Sequence, residues 1–164
     1  ANNELSKANL TQELVDRGVA ADRLIFGGHL KRPEYLARYR VADLFLDTHP
    51  YNAGTTASDA LKMGLPMLTM IGQSYQSRMG ASILTSINLP ELITNTPKEY
   101  EALAIELATH PEKLKVIKDK LADNLSTAPL FDTKRFTKNI ESAYTQMYER
   151  SQQGLEPDHI YVEE

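Results

Sequence analysis

The chain has 164 residues, which is enough for one domain with a substantial hydrophobic core. It carries 22 acidic and 18 basic residues, a formal net charge of −4, and no cysteine. This balance argues against a broad nucleic-acid surface, and the lack of cysteine excludes disulfides, thiolate metal sites and cysteine nucleophiles. No apolar run approaches the roughly 18–20 residues that span a bilayer. We therefore expect a cytoplasmic protein without a membrane partner.

The first part of the chain predicts two helices around one short strand. Apolar residues recur at helical spacing over residues 5–15, and Gly18 ends that helix. The apolar run at residues 24–26 is followed by two glycines and predicts a buried strand. Residues 33–41 have helical character, with Pro33 suited to the first turn.

The middle of the chain continues this alternation. Residues 43–47 predict a strand that is apolar on both faces, as in a parallel sheet covered by helices. Further strands are predicted at residues 67–70 and 92–94, and helices at residues 55–63 and 76–87.

Beyond residue 96 the pattern is helical only. Thr96 and Glu99 predict a capping box, with Pro97 at the first helical position, and a further helix follows over residues 111–124. Asp132 is expected to cap a last helix over residues 133–152. That helix carries an amphipathic stripe made of Phe136, Ile140, Tyr144, Met147 and Tyr148. We expect the stripe to pack on the sheet domain, or, if it lies exposed, to favour a dimer.

Alternating strands and helices predict an α/β fold with an open, parallel, Rossmann-like sheet. Such a domain usually opens with a strand, whereas this chain opens with a helix, so we expect the domain to be truncated at its N-terminus. The predicted organisation is a partial half-domain over residues 1–130, a C-terminal helix packing on it over residues 131–154, and an acidic tail over residues 155–164.

A candidate ligand site follows the strand at residues 43–47. Ligands of open α/β sheets bind at the carboxyl ends of the strands, where Gly54 leads into a helix that starts with Thr55 and Thr56. Two hydroxyls and the free N–H groups of a helix start suit a diphosphate, and Asp59 one turn later suits ribose hydroxyls. The alternative is plain helix capping, with Thr56 and Asp59 as a capping box.

A second cluster lies on the preceding helix. Arg32, Tyr35 and Arg38 stand at three-residue steps, so they share one helix surface and suit a nucleobase clamp. The alternative is a solvated basic face. Four dispersed histidines give no metal-site pattern, and the sequence contains no convincing catalytic base or glycine-rich phosphate loop.

Residues 36–48 and 51–61 carry a resemblance to a known family, and residues 64–69, 77–82 and 129–133 extend it. These segments resemble the C-terminal catalytic half of the O-linked N-acetylglucosaminyltransferase family, glycosyltransferase family 41. Its members are GT-B enzymes preceded by tetratricopeptide repeats, and the likeness is greatest to bacterial ones. The resemblance implies a GT-B half-domain that binds a UDP-sugar, without a metal cofactor.

The resemblance assigns a role to each matching residue. Thr55 and Thr56 match the pair that holds the UDP diphosphate, and Asp59 matches the carboxylate on the ribose. Arg38 matches an arginine at the uracil, and Arg32 stands in place of a uridine-contacting lysine. Tyr35 replaces a histidine that stacks on uracil, so stacking survives without the imidazole charge. Gly54 also replaces a histidine, so the diphosphate contact that some members make there is in doubt.

The resemblance also implies what the chain lacks. The family's catalytic base, acceptor cleft and repeats match nothing in this sequence, so we expect weak UDP binding and no transfer by this chain alone. The implied reaction moves N-acetylglucosamine to serine or threonine of a protein acceptor, which would bind through the missing half and repeats. Two alternatives stay open: a UDP-glucose-dependent transferase acting on asparagine, and a non-catalytic nucleotide-binding or scaffold domain.

Overall fold

The computed structural model describes residues 3–162, which form two compact units divided between Tyr35 and Leu36. From the sequence we expected one half-domain over residues 1–130. The helices and strands, in chain order, are α1 (Glu4–Asp16), α2 (Arg32–Arg38), β1 (Phe45–Leu46), α3 (Thr55–Lys62), β2 (Met67–Met70), α4 (Met79–Ser86), β3 (Ile93–Thr94), α5 (Pro97–Thr109), α6 (Pro111–Asn124) and α7 (Thr133–Gln152).

The first unit is built around α1. The Asn3 side chain caps this helix by accepting a hydrogen bond from the N–H of Ser6 at 2.7 Å, and Gly18 follows its end with φ +78°. The strand predicted at residues 24–26 is wrong, because this segment is irregular and Ile25 is 87% exposed. A short apolar run becomes a strand only when another strand pairs with it. None of residues 3–35 is buried.

The second unit contains a three-stranded sheet in the order β1-β2-β3. Both strand pairs are parallel, with Phe45 opposite Met67 in one pair and Thr69 opposite Ile93 in the other. The predicted open parallel sheet is therefore confirmed. Strand β1 is shorter than the predicted residues 43–47, and Leu46 is 51% exposed although we expected both faces to be covered.

The hydrophobic core of this unit lies between the sheet and its helices. Strand β2 is central and buried, and helices α3, α4, α5 and α6 all contribute side chains to the core. The fully buried members of the cluster include Ala57, Leu61, Met67, Leu84, Ile87, Leu89, Leu92 and Leu121. Packing of α3 and α4 on the sheet fixes the direction in which their first turns point.

Helices α5 and α7 begin as predicted. Thr96 accepts from the N–H of Glu99 at 3.2 Å, and Glu99 accepts from the N–H of Asn95 at 2.8 Å, one residue before the expected partner. Asp132 caps α7 by accepting from the N–H of Arg135 at 3.0 Å. No described helix is long and apolar enough to cross a membrane.

The packing predicted for the α7 stripe is wrong for its aromatic side chains. Phe136, Tyr144 and Tyr148 are 65%, 61% and 66% exposed, while Ile140 is half-buried and no residue of α7 is fully buried. Periodicity shows that a helix has an apolar stripe but does not show what covers it. Because the stripe is exposed, we propose that this chain can form a dimer through it. Sedimentation velocity at several protein concentrations would test this.

Candidate functional site

The candidate site lies where β1 leads into α3. Asp47 follows β1 directly, and the chain then forms a loop that reaches α3 at Gly54. Because β1 and β2 are parallel, their carboxyl ends lie at the same edge of the sheet. This is the edge at which open α/β sheets bind ligands.

The Asp47 carboxylate is buried, with 6% of the residue exposed. Its Oδ1 accepts from the N–H of Thr48 at 2.9 Å and from the N–H of Ala53 at 2.8 Å. Its Oδ2 accepts from the Thr69 hydroxyl on β2 at 2.6 Å. One carboxylate therefore joins both ends of the β1–α3 loop to the neighbouring strand.

Asn52 ties the same loop to α4. The residue is 3% exposed, and its Nδ2 donates to the carbonyl of Thr48 at 2.9 Å. Its Oδ1 accepts from the N–H of Gly80 at 3.3 Å. A Cβ added at Gly80 would lie 2.5 Å from Thr69 Oγ1 and 2.7 Å from Asp47 Oδ2, so only glycine lets α4 approach this closely.

Helix α3 begins without a side-chain cap. Gly54 is its N-cap residue and has no side chain with which to cap the helix, whereas side chains cap α1, α5 and α7. Helices α4 and α6 also begin without a side-chain cap. Thr56 is the second residue of the helix, so it is not the N-cap that the capping-box alternative required. The start of α3 therefore leaves backbone N–H groups of its first turn for a ligand.

The structure brings Thr55, Thr56 and Asp59 together within the first turn and a half of α3. Both threonines are exposed, whereas Asp59 is buried with 7% exposure. The Tyr39 hydroxyl donates to the carbonyl of Thr56 at 3.4 Å. Two exposed hydroxyls at the positive end of a helix form a surface that attracts anions.

The residues proposed for the base lie on α2. The Arg32 guanidinium lies 5.7 Å from the centroid of the Tyr35 ring, which is within the range of a cation–π contact. Both residues belong to the first unit, whereas Arg38, the last residue of α2, belongs to the second. The structure thus pairs Arg32 with Tyr35, as the three-residue spacing predicted.

Tyr100 on α5 also holds the start of the β1–α3 loop by a hydrogen bond. Its hydroxyl donates to the backbone carbonyl of Asp47 at 2.8 Å. Burial raises the pKa of the phenol, and the neighbouring Asp47 carboxylate raises it further. The Tyr100 hydroxyl therefore stays protonated and keeps this hydrogen bond at neutral pH.

Two other features of the second unit bear on the site. A cleft of about 600 Å³ lies beside α4, lined among others by Ile71, Tyr75 and Arg78, but it includes none of the six predicted site residues. Within residues 3–162, no group of three or more histidine, aspartate and glutamate side chains is arranged to hold a metal ion. At the start of α3, the described residues therefore provide hydroxyl and backbone N–H groups and no cluster of metal ligands.

Comparison with known proteins identifies the family. Residues 3–140 match the family described as glycosyl transferase family 41. The chain belongs to glycosyltransferase family 41. This confirms the resemblance seen in the motifs, and the first turn of α3 is part of the matched region.

Relatives and a solved structure agree with this family. The chain is 34% identical over 146 residues to the UDP-N-acetylglucosamine–peptide N-acetylglucosaminyltransferase of Caenorhabditis elegans, covering 89% of this chain and 13% of the relative. It is 35% identical over 147 residues to the probable enzyme SEC of Arabidopsis thaliana, covering 89% and 15%. The family 41 chain thus spans about one seventh of their length.

A solved structure matches a slightly larger share of this chain than these two relatives do. The O-GlcNAc transferase of Thermobaculum terrenum, as its K341M mutant, superimposes with a TM-score of 0.86 at 32% identity, over 93% of this chain and 29% of that one. The fold is therefore that of part of a GT-B glycosyltransferase. The family 41 assignment and the fold both agree with the open parallel sheet observed here.

The sequence analysis assigned no role in holding the β1–α3 loop to the four residues that do so, namely Asp47, Asn52, Thr69 and Gly80. One signal was available, because Asp47 is a charged residue that directly ends an apolar strand at the ligand-binding edge. The partners of Asp47 on β2 and α4 could not be inferred, since they lie 22 and 33 residues away in sequence and meet it only in the folded chain.

Proposed function

We propose that this family 41 chain is the donor-nucleotide-binding part of a protein glycosyltransferase, and that the start of α3 holds the diphosphate of a UDP-sugar. The observation that carries the proposal is the uncapped helix start at Gly54, followed by two exposed threonines, at the carboxyl edge of a parallel sheet. The relatives named as UDP-N-acetylglucosamine–peptide transferases support the choice of nucleotide.

The Thr55 and Thr56 hydroxyls and the helix amides supply the diphosphate contacts. A hydrogen bond from a solvent-exposed hydroxyl contributes about 0.5–1.5 kcal/mol net. The positive end of the helix adds about 0.3–1 kcal/mol. Asp59, one turn further into the helix, accepts hydrogen bonds from the ribose hydroxyls. The hydroxyls and helix amides disperse the diphosphate charge without a metal ion, so we propose that the site uses none.

A nucleotide series tests this proposal on the unmodified chain. Uridine, UMP, UDP, UDP-N-acetylglucosamine and UDP-glucose are titrated by calorimetry, with EDTA or with Mg²⁺. We expect UDP to bind at least tenfold more tightly than uridine, because the diphosphate contacts together add about 1.4 kcal/mol or more. EDTA should leave this difference unchanged. Equal affinities for uridine and UDP would contradict the proposal.

For the base, we propose that the Tyr35 ring stacks on uracil while Arg32 and Arg38 contact the uridine. Stacking of one base on an aromatic ring contributes about 1–3 kcal/mol. Tyr35→Ala should therefore weaken UDP binding about tenfold, whereas Tyr35→Phe keeps the ring and should change it less than twofold. Tyr144→Ala, which removes a more exposed tyrosine from α7, outside the proposed site, is the control. Equal losses in Tyr35→Ala and Tyr35→Phe would count against stacking.

The rest of the reaction is proposed from the family. We propose a cytoplasmic enzyme that transfers N-acetylglucosamine to serine or threonine of a protein, with the acceptor bound by parts of the enzyme outside this chain. Cell fractionation would test the location. Transfer of glucose to asparagine remains a second candidate, since none of the six proposed residues contacts the sugar in this scheme. A scaffold that binds no nucleotide would fail the titration above.

The chain alone is proposed to be inactive, because none of the proposed contacts supplies a catalytic base. Incubation with UDP-N-acetylglucosamine and a serine-rich peptide should release no UDP above background. Release that depends on the peptide would contradict this.

A further inference from the structure

Asp47 is held too tightly by the protein itself to serve as a ligand for the nucleotide. Its two carboxylate oxygens receive three hydrogen bonds, two from backbone N–H groups and one from the Thr69 hydroxyl. The 2.7 Å from a Cβ built at Gly80 to Asp47 Oδ2 shows that α4 packs directly against that oxygen. A buried carboxylate with three hydrogen-bond donors has a structural role, because losing any one donor leaves a buried charge with less stabilisation.

The two N–H donors lie at opposite ends of one loop. Thr48 is the second residue after β1, and Ala53 is the residue before the N-cap Gly54. Oδ1 therefore accepts hydrogen bonds from both ends of the loop. Oδ2 accepts a hydrogen bond from Thr69 on the central strand β2, which connects the loop to the sheet. The Asp47 side chain therefore helps to set the position of Gly54 and the direction of the first N–H groups of α3.

Two further ties hold the loop from outside. Asn52 accepts from the N–H of Gly80 and donates to the Thr48 carbonyl, while its own N–H donates to the carbonyl of Gln76 at 3.2 Å. The Tyr100 hydroxyl holds the backbone carbonyl of Asp47. The loop is thus hydrogen-bonded to β2, α4 and α5. Asp47 takes part in the hydrogen bonds at both ends of the loop.

We infer that Asp47 is a positioning residue for the diphosphate, which it never touches: through Ala53 and Thr69 it holds the start of α3 in the orientation that the phosphates require. This inference rests on the proposed function of Thr55 and Thr56. Donors fixed before the ligand arrives lose no free energy to reorganisation on binding, so a loosened loop binds the same ligand more weakly with every contact residue still present.

Thr69 offers a test with a matched control in the neighbouring strand. Thr69→Val removes the donor to Asp47 Oδ2. Thr94→Val removes another buried threonine hydroxyl, which donates only to the backbone carbonyl of Thr69 at 2.9 Å. Both variants lose one buried hydrogen bond, but only Thr69→Val removes a donor from Asp47. Because that acceptor is charged, Thr69→Val should also cost more stability than Thr94→Val. Thr69→Ser keeps the hydroxyl and serves as the rescue.

Amide hydrogen exchange and UDP titration are measured on the whole chain for each variant. In Thr69→Val we expect the Ala53 amide to exchange about tenfold faster than in Thr94→Val, and UDP to bind about three- to tenfold more weakly. Thr69→Ser should restore both values. Tyr100→Phe leaves the sheet core intact and supplies a milder variant, with the Ala53 amide expected to exchange about threefold faster.

The outcomes separate the two hypotheses. Equal Ala53 exchange and equal UDP affinity in Thr69→Val and Thr94→Val, with normal binding by the unmodified chain, would overturn the positioning role alone. Faster exchange without weaker binding would overturn it as well. An unmodified chain that binds no UDP would overturn the proposed function and the diphosphate part of this inference, and the Ala53 exchange rates would then show only that Asp47 holds the loop.

Discussion

Replacing Thr55 and Thr56 together by alanine should weaken UDP binding about 10- to 100-fold, which corresponds to about 1.4–2.8 kcal/mol. Both hydroxyls are exposed at the first two positions of α3, so their removal leaves no buried group unsatisfied. The helix amides remain, and for this reason we expect weakened binding and not its complete loss. Isothermal titration of UDP measures the change, and thermal unfolding should show little difference.

The control for this variant is a pair of threonines on a different helix. Thr137 and Thr145 are exposed on α7 and donate to the carbonyls of Thr133 and Glu141 at 2.8 and 2.9 Å. Thr137→Ala/Thr145→Ala removes the same chemical groups and should leave UDP affinity within twofold. If the Thr55→Ala/Thr56→Ala variant binds UDP as tightly as the unmodified chain does, the diphosphate is not at the start of α3.

Replacing Gly80 by alanine should destabilise the second unit by about 1–3 kcal/mol, the usual cost of an added methyl group in a packed interior. At an open helical position, the same change stabilises a helix by up to about 1 kcal/mol. The sign reverses here because the new Cβ would lie 2.5 Å from Thr69 Oγ1 and 2.7 Å from Asp47 Oδ2. Both atoms are held in a buried hydrogen bond and cannot simply turn away.

Thermal unfolding measures this effect, with an expected fall in Tm of roughly 3–10 °C for a chain of this size. Gly28→Ala is the control, because a Cβ at Gly28 has no neighbour within 4 Å and its φ lies outside the left-handed region. That variant should be as stable as the unmodified chain, or slightly more stable. A Gly80→Ala variant that unfolds at the same temperature as Gly28→Ala would show that the close packing of α4 on Asp47 and Thr69 is not needed.

All seven described helices and all three described strands were predictable, because their signals are local. The Thr96 and Asp132 side chains form the caps that their sequence positions predicted. Strand β2 followed from the apolar run at residues 67–70, bounded by Gly64 and Pro66. The candidate diphosphate residues were predictable for the same reason, since a glycine and two threonines at a strand-to-helix junction form a continuous motif.

The failures share one cause, which is that burial depends on partners distant in sequence. The run at residues 24–26 has the composition of a strand, yet Ile25 is 87% exposed. The stripe on α7 has a helical period, yet Phe136 and Tyr148 are exposed. In both cases the local apolar pattern is present, but no other part of residues 3–162 packs over it as we expected.

The sequence alone therefore determined the order of helices and strands, the parallel sheet, the family and the short motif proposed to hold the diphosphate. These depend on residues within a few positions of one another. The tertiary structure decided that Gly54, and not Thr56, caps α3, and that Asp47 connects the loop to Thr69 and lies beside Gly80. Such contacts form only when β1, β2 and α4 pack together, because the hydrophobic core beneath them sets the distances at which hydrogen bonds can form.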